Sequence, residues 1–254
     1  MSIEQPEKPK SELDFFATEL NLSPEEMTER KDFADGLKEK IDSAFPMIAE
    51  KENKDKKEIE KEETEKRECL NECNEQIKNF LERYKEDDEI KILIPLKASK
   101  ETVSILRNNI IRILFENESE EKKYDIKEVI SEALTNAFTH CCKEKSEYAA
   151  LSIKKEGGHI IEVTTMNFSE EEIPEEMLSF LNKPKEEAKE ALESFSNNDV
   201  EKTINGEEFD LEKELNGLYK RRGLEIIAQL IKEIRYNKIE AGELGFCNKF
   251  TFEM

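Results

Sequence analysis

The chain has 254 residues, of which 40% are charged and 36% are hydrophobic, and its formal net charge is -21 at pH 7. The excess of acid is uneven: residues 1–90 carry 16 Lys and Arg against 28 Asp and Glu, and residues 169–216 carry 5 against 16. Because binding to nucleic acid needs a basic face that neutralises phosphates, this distribution excludes nucleic acid as an expected partner.

The chain shows no pattern typical of a membrane or secreted protein. No apolar run approaches the roughly 20 residues of a membrane-spanning helix, and the first residues lack the apolar core of a signal peptide. A cytoplasmic protein without membrane contact is therefore expected. The five cysteines form no disulfide framework, and Cys69 and Cys73, four residues apart, are interpreted as packing residues rather than metal ligands.

The first third of the chain is predicted to be a short disordered tail (1–10) followed by a helical, highly charged region (11–89). Ser11 is placed to cap a short amphipathic helix. The run Ser23-Pro24-Glu25-Glu26 combines the cap, the proline and the acids of a helix start, and that helix should continue to about Ala44. The next stretch, 50–67, is almost entirely charged and predicts a solvated helix or spacer.

An apolar stripe then follows at helical spacing, and the sequence leaves its partner open. The partner could be a second copy in a homodimer, the upstream helix folded back, or the domain that follows. The pattern is too short to specify a coiled coil. The stripe comprises Leu70, Cys73, Ile77, Phe80 or Leu81, and Tyr84.

A separate domain is predicted from residue 90 to residue 254. A strand at Lys91–Lys97 carries Pro95, which is typical of an edge strand, and Ser99 and Asp125 are placed to cap two amphipathic helices. Two strands, Tyr148–Lys154 and His159–Thr165, are joined by a Gly-Gly hairpin turn. An acidic lid or insertion (169–216), an apolar helix and two final strands complete the chain.

This order of elements predicts an α+β fold. The expected architecture is a two-layer α/β sandwich, with helices on one face of a mixed sheet, preceded by the N-terminal helical region.

A polar stripe on the second of these helices is the strongest candidate for a functional site. Glu132, Asn136 and His140 are four residues apart and border the buried face. Small Ala133 and Ala137 leave room for a ligand, and the oxygen atoms of Glu132 and Asn136 suit a hard cation such as Mg²⁺. On spacing alone, an exposed Glu with Asn and His bonded to nearby backbone is the better interpretation.

The run Ser-Glu-Ala-Leu-Thr-Asn-Ala-Phe-Thr-His, which ends at His140, resembles the N-box of histidine-kinase-like ATPases (the Bergerat fold) in the form found in anti-sigma-factor serine kinases. The upstream Ile-Pro-Leu-Lys-Ala and Val-Ser-Ile-Leu-Arg are also similar to that family, so the resemblance extends from about Lys91 to Met254. It implies ATP and Mg²⁺ as cofactors. Glu132 would be the general base that activates an acceptor hydroxyl, Asn136 the Mg²⁺ ligand, and His140 a residue lining the phosphates.

The later nucleotide-binding motifs depart from the family pattern. Gly223 and Leu224 begin a run that resembles the second glycine box, where backbone N–H groups contact phosphates. Arg221 replaces an expected glycine, and with Lys220 it belongs to a basic triplet that either clamps phosphates or pairs with the acidic insertion. Asn167 stands where the family has an adenine-binding Asp, and its neutral bond is roughly half as strong as a charge-assisted one.

Two functions follow from this resemblance. The first is an ATP-binding, anti-sigma-factor-like regulator of transcription that acts as a serine kinase on a small antagonist protein and binds a sigma factor. The second is a nucleotide-independent pseudo-kinase used as a protein-interaction module. A helical scaffold with no relation to nucleotides is the third interpretation, because short motifs often mislead.

Overall fold

The computed structural model describes residues 11–44, 56–96, 100–116, 118–139, 146–169, 181, 183, 186–187 and 230–254. The predicted tail, nearly all of the acidic insertion, the helix near residue 224 and the predicted cap Ser99 lie outside the described residues. The described part contains five α-helices and five strands: α1 (Glu12–Glu19), α2 (Pro24–Ala44), α3 (Lys56–Tyr84), β1 (Glu89–Pro95), α4 (Lys100–Leu114), α5 (Glu120–Thr139), β2 (Tyr148–Glu156), β3 (His159–Ser169), β4 (Glu233–Glu240) and β5 (Phe246–Glu253).

The predicted α+β fold is confirmed, with one difference in the sheet. The strand order is β1-β2-β3-β5-β4, and all four pairings among the described strands are antiparallel, whereas a mixed sheet was expected. The reason lies in the connections. Two helices separate β1 from β2, and an even number of helices returns the chain to the end of the sheet that it left, so that Tyr148 pairs with Pro95. Pro95 does lie in an edge strand, as predicted.

The sheet has a front face, covered by α4 and α5, which holds the larger hydrophobic core. Side chains of Leu106 and Ile110 from α4 and of Val129 and Ile130 from α5 pack onto it. This pair of layers is the predicted sandwich. The strand residues of the front core include Ile90, Ile92, Leu151, Ile153, Val163 and Phe252.

The opposite, back face is covered by α1 and by Met27 and Ala34 of α2. Phe15 and Phe16 place their ring centroids 5.1 and 5.4 Å from that of Phe168 in β3. The carboxylate of Glu12 accepts hydrogen bonds from the hydroxyl of Ser146 and from two backbone amides at the start of β2, at 3.0 and 3.1 Å. The N-terminal helix is therefore attached to the sheet by both apolar and polar contacts.

The apolar stripe of α3 has its partners within the same chain. Phe80 stacks on Phe33 of α2 at 4.1 Å between ring centroids, and α3 also contacts α4. Buried Arg30 of α2 places its guanidinium 3.9 Å from the ring centroid of Tyr84. Of the alternatives that the sequence left open, the upstream helix and the following domain both contribute, and α2 packs along the edge strand β1.

Two helix starts were predicted correctly and one was wrong. The hydroxyl of Ser11 accepts a bond from the amide of Asp14 in α1, and Ser23 forms a reciprocal pair of bonds with Glu26 in α2. Asp125, however, lies inside α5, whose first turn is capped by Ser119. The helix begins after Ser119 because the two acids that follow it directly stabilise the positive end of the helix dipole.

None of the helices within the described residues is both long enough and apolar enough to cross a membrane.

Candidate functional site

The predicted polar stripe lies on α5, where Glu132 and Asn136 are each half-buried. Their neighbours Ala133 and Ala137 are buried at 1% and 2% exposure, so the stripe borders the packed side of the helix as the spacing predicted. Four residues correspond to about one helical turn, or roughly 6 Å along the axis. The carboxylate and the amide therefore face the same side of the helix at neighbouring levels.

The environment of Glu132 favours its protonated form. Burial is the larger cause that raises the pKa of Glu132, and the carboxylate of Glu128, one turn earlier, raises the pKa further. A carboxyl group with a raised pKa is better suited to general base catalysis near neutral pH than an ordinary exposed Glu. Structural carboxylates are also perturbed in this way, so the shift supports a site without identifying it.

The turn of α5 that carries Glu132 is joined to α4 by a hydrogen bond. Arg107 of α4 donates from Nη1 to the hydroxyl of Ser131 in α5 at 3.0 Å, and from Nη2 to the hydroxyl of Ser104 in its own helix at 3.1 Å. The Ser131 hydroxyl donates in turn to the backbone carbonyl of Lys127 within α5. The Arg107–Ser131 bond therefore links the two helices next to Glu132.

Asn167 lies at the same end of the front face as Asn136. Ala137, next to Asn136, packs with Ala149 of β2 in a small cluster at the end of α5. The register pairs Ala150 with Met166, and one further step along the two strands places Ala149 opposite Asn167. The end of α5 and the end of β3 thus meet at one end of the sheet.

The side chain of Asn167 is buried but incompletely bonded. The residue is 3% exposed, and its Nδ2 atom has no hydrogen-bond partner within the described part of the chain. Such orphan buried donors are rare in native proteins because each costs about 1–3 kcal/mol. Among the residues predicted to bind a ligand, Asn167 is the one whose surroundings call for a partner atom.

Sequence reasoning missed the residues beside Asn167. The register aligns Asn167 with Asn248 of β5 and then with Lys238 of β4, which makes a polar row across three strands. Asn248 is 3% exposed and accepts a hydrogen bond from the hydroxyl of Tyr236 at 2.8 Å, and Lys238 lies over the ring of Phe246. In the sequence, Asn248 stands between Phe246 and Phe250 of the last strand. A polar residue at this inward-facing position was the sequence signal that could have predicted the row.

Five other residues were predicted to bind a ligand. His140, Lys220, Arg221, Gly223 and Leu224 lie outside the described residues. Within the described residues no group of three or more His, Cys, Asp or Glu side chains is arranged to hold a metal ion. A divalent cation at Asn136 would therefore need most of its oxygen ligands from a bound phosphate and from water, which is usual for Mg²⁺.

Comparison with protein-family models and with curated proteins found no match for this chain.

Proposed function

We propose that the protein is an ATP-binding regulator of the anti-sigma-factor type, and that nucleotide lies between α5 and β3 at the end of the front face. One observation carries the proposal. The Glu132–Asn136 stripe and the buried, unpaired amide of Asn167 lie on different elements but meet at the same end of the sheet. A ligand that contacts both elements would supply the hydrogen bond that Asn167 lacks.

Each residue has a role that its chemistry fits. The side-chain oxygen of Asn136 is a suitable ligand for Mg²⁺. ATP would supply the phosphoryl group, and Mg²⁺ would neutralise its charge. Glu132 would accept the proton of an incoming serine hydroxyl, a role to which its raised pKa is suited. Asn167 would contact the base. The proposed acceptor is a serine of a small antagonist protein, and a sigma factor is the second proposed protein partner.

A thermal-shift series with ATP and ADP, each with and without Mg²⁺, tests the proposal. Nucleotide at 100 times its Kd adds about 2.7 kcal/mol of stability, which corresponds to a rise in Tm of about 5 to 11 °C for a chain of this size. Asn136→Ala should abolish the part of the shift that depends on Mg²⁺. Thr135→Ala is the matched control, because Thr135 is exposed on the same helix. The absence of any shift at millimolar nucleotide would refute the proposal.

A second candidate function is a nucleotide-independent pseudo-kinase that serves as a protein-interaction module. It is favoured by the repulsion between Glu128 and Glu132 and by the neutral Asn167 at the proposed base position. The module predicts no nucleotide shift in the wild-type protein, and no change in Tm on addition of ATP in either Asn136→Ala or Thr135→Ala. The same series therefore separates the two functions.

A further inference from the structure

The amide of Asn167 offers a ligand an unpaired hydrogen-bond donor at the end of the front face. Nδ2 is buried and unpaired within the described part of the chain, and the small side chains of Ala137 and Ala149 lie at the same end of the front face. Lys238 is the cation of the polar row, and it lies two strands away from Asn167. At about 4.8 Å per strand, the two residues are roughly 10 Å apart. Among the described residues of this row a phosphate would find no closer positive charge, whereas a heterocyclic base needs none.

The neighbouring amide of the row is already engaged. Asn248 uses its side-chain oxygen to accept the bond from Tyr236. Asn248 thus has a structural partner within the sheet, while the Nδ2 atom of Asn167 has none among the described residues. Of the two buried amides in the row, Asn167 is the one placed to recognise a ligand.

A carboxamide differs from a carboxylate in what it can recognise. An ionised carboxylate only accepts hydrogen bonds, while a carboxamide carries both a donor and an acceptor. At the 6-position of a purine, adenine presents an amino donor beside a ring-nitrogen acceptor, and a 6-oxopurine presents an oxygen acceptor beside a ring N–H donor. A carboxamide can satisfy either edge by rotating through half a turn. A carboxylate cannot satisfy the edge of a 6-oxopurine, because it has no donor for the 6-oxygen.

The geometry points to Asn167 as the residue that recognises the base, an inference that rests on the proposed nucleotide site. Its carboxamide makes the site bind 6-amino- and 6-oxopurine nucleoside triphosphates alike. The 6-oxygen of the second class, or a ring nitrogen of the first, accepts the hydrogen bond from Nδ2. The site is thus not restricted to adenine.

Calorimetric titration of the full-length protein with the Mg²⁺ complexes of ATP, ITP and inorganic tripolyphosphate tests this inference. The Kd values for ATP and ITP should agree within about tenfold, a difference of about 1.4 kcal/mol or less, and tripolyphosphate should bind more than tenfold more weakly than either. A preference for ATP over ITP greater than tenfold overturns the inference while leaving the proposed function intact. Binding of tripolyphosphate as tight as that of ATP also overturns it, because the base is then not recognised. If neither ATP nor ITP binds, the proposed function itself fails.

Two variants identify the residue responsible. Asn167→Asp should retain ATP binding and weaken ITP binding by at least tenfold, because its carboxylate faces the 6-oxygen. Asn248→Asp is the matched control, since it introduces the same charge at an equally buried position of the next strand and should leave the ratio of the two Kd values unchanged. An unchanged ratio in folded Asn167→Asp, or an equal change in both variants, contradicts the assignment. Should Asn167→Asp fail to fold, as judged by circular dichroism, the wild-type ratio decides alone.

Discussion

The substitution Phe16→Ala tests whether the N-terminal helix and the sheet fold as one unit. Phe16 is 0% exposed and lies against Phe168 of β3, with ring centroids 5.4 Å apart, and against Phe15 of its own helix at 6.0 Å. Truncation of a buried Phe removes its apolar area and its aromatic contacts and leaves a cavity, at a cost of about 3–5 kcal/mol. For a chain of this length that loss corresponds to a fall in Tm of about 6 to 20 °C.

Thermal unfolding followed by circular dichroism measures this loss. Tyr124→Ala is the matched control, because the Tyr124 side chain is 62% exposed on α5 and its removal should change stability by no more than about 0.5 kcal/mol. Equal Tm values for the two variants would refute the packing of α1 on the back face. Two separate transitions in Phe16→Ala, with a small one at low temperature, would show that α1 unfolds independently of the sheet.

Three further substitutions probe polar contacts. Glu12→Ala removes the acceptor of two backbone amides at the start of β2 and should cost about 1–3 kcal/mol in urea unfolding; a loss under 0.5 kcal/mol would contradict the buried bonds. Arg30→Lys should cost about 1–2 kcal/mol in the same assay, because an ammonium cannot stack on Tyr84 as a planar guanidinium does, and an unchanged urea midpoint would disprove that stacking. The pKa of Glu132 is raised in the folded state. Glu132 therefore contributes to stability at pH values below the ordinary pKa range of carboxyl groups, and this contribution is lost as pH rises through the folded-state pKa. The Tm advantage of Glu132→Gln over wild type should therefore grow from acidic to neutral pH, and a constant difference would contradict the raised pKa.

The features that sequence predicted well are local ones. A capping residue and its partner are three positions apart, so the Ser23–Glu26 pair could be recognised without knowing the rest of the fold. The hairpin between β2 and β3 turns at Gly157 and Gly158, which both adopt positive φ angles that suit glycine. The prediction of Asp125 as a cap was wrong. Both Asp and Ser can cap a helix, and Ser119, which caps α5, is followed directly by a pair of acids.

The features that sequence did not predict depend on contacts between distant parts of the chain. The periodicity of α3 showed that a partner was needed, but the choice between another copy and α2 depends on how the chain folds back. Asn167 was identified by its position in the chain, yet its burial depends on neighbouring strands, and one of these, β5, is the last element of the chain. An amide buried without a partner can be recognised only when those neighbours are known.

The contacts of β3 show how the N-terminal helix supports the strands that carry the candidate site. Successive residues of a strand point to opposite faces, so Phe168 packs against α1 on the back while Asn167 faces the front. The same helix uses Glu12 to hold the start of β2, the strand that pairs with β3. A chain that began at residue 90 would expose the apolar back face and lose both restraints on these strands. Nucleotide binding should therefore be measured on the full-length protein, since a weak result with the shortened chain would reflect a disturbed β3 rather than the chemistry of Asn167.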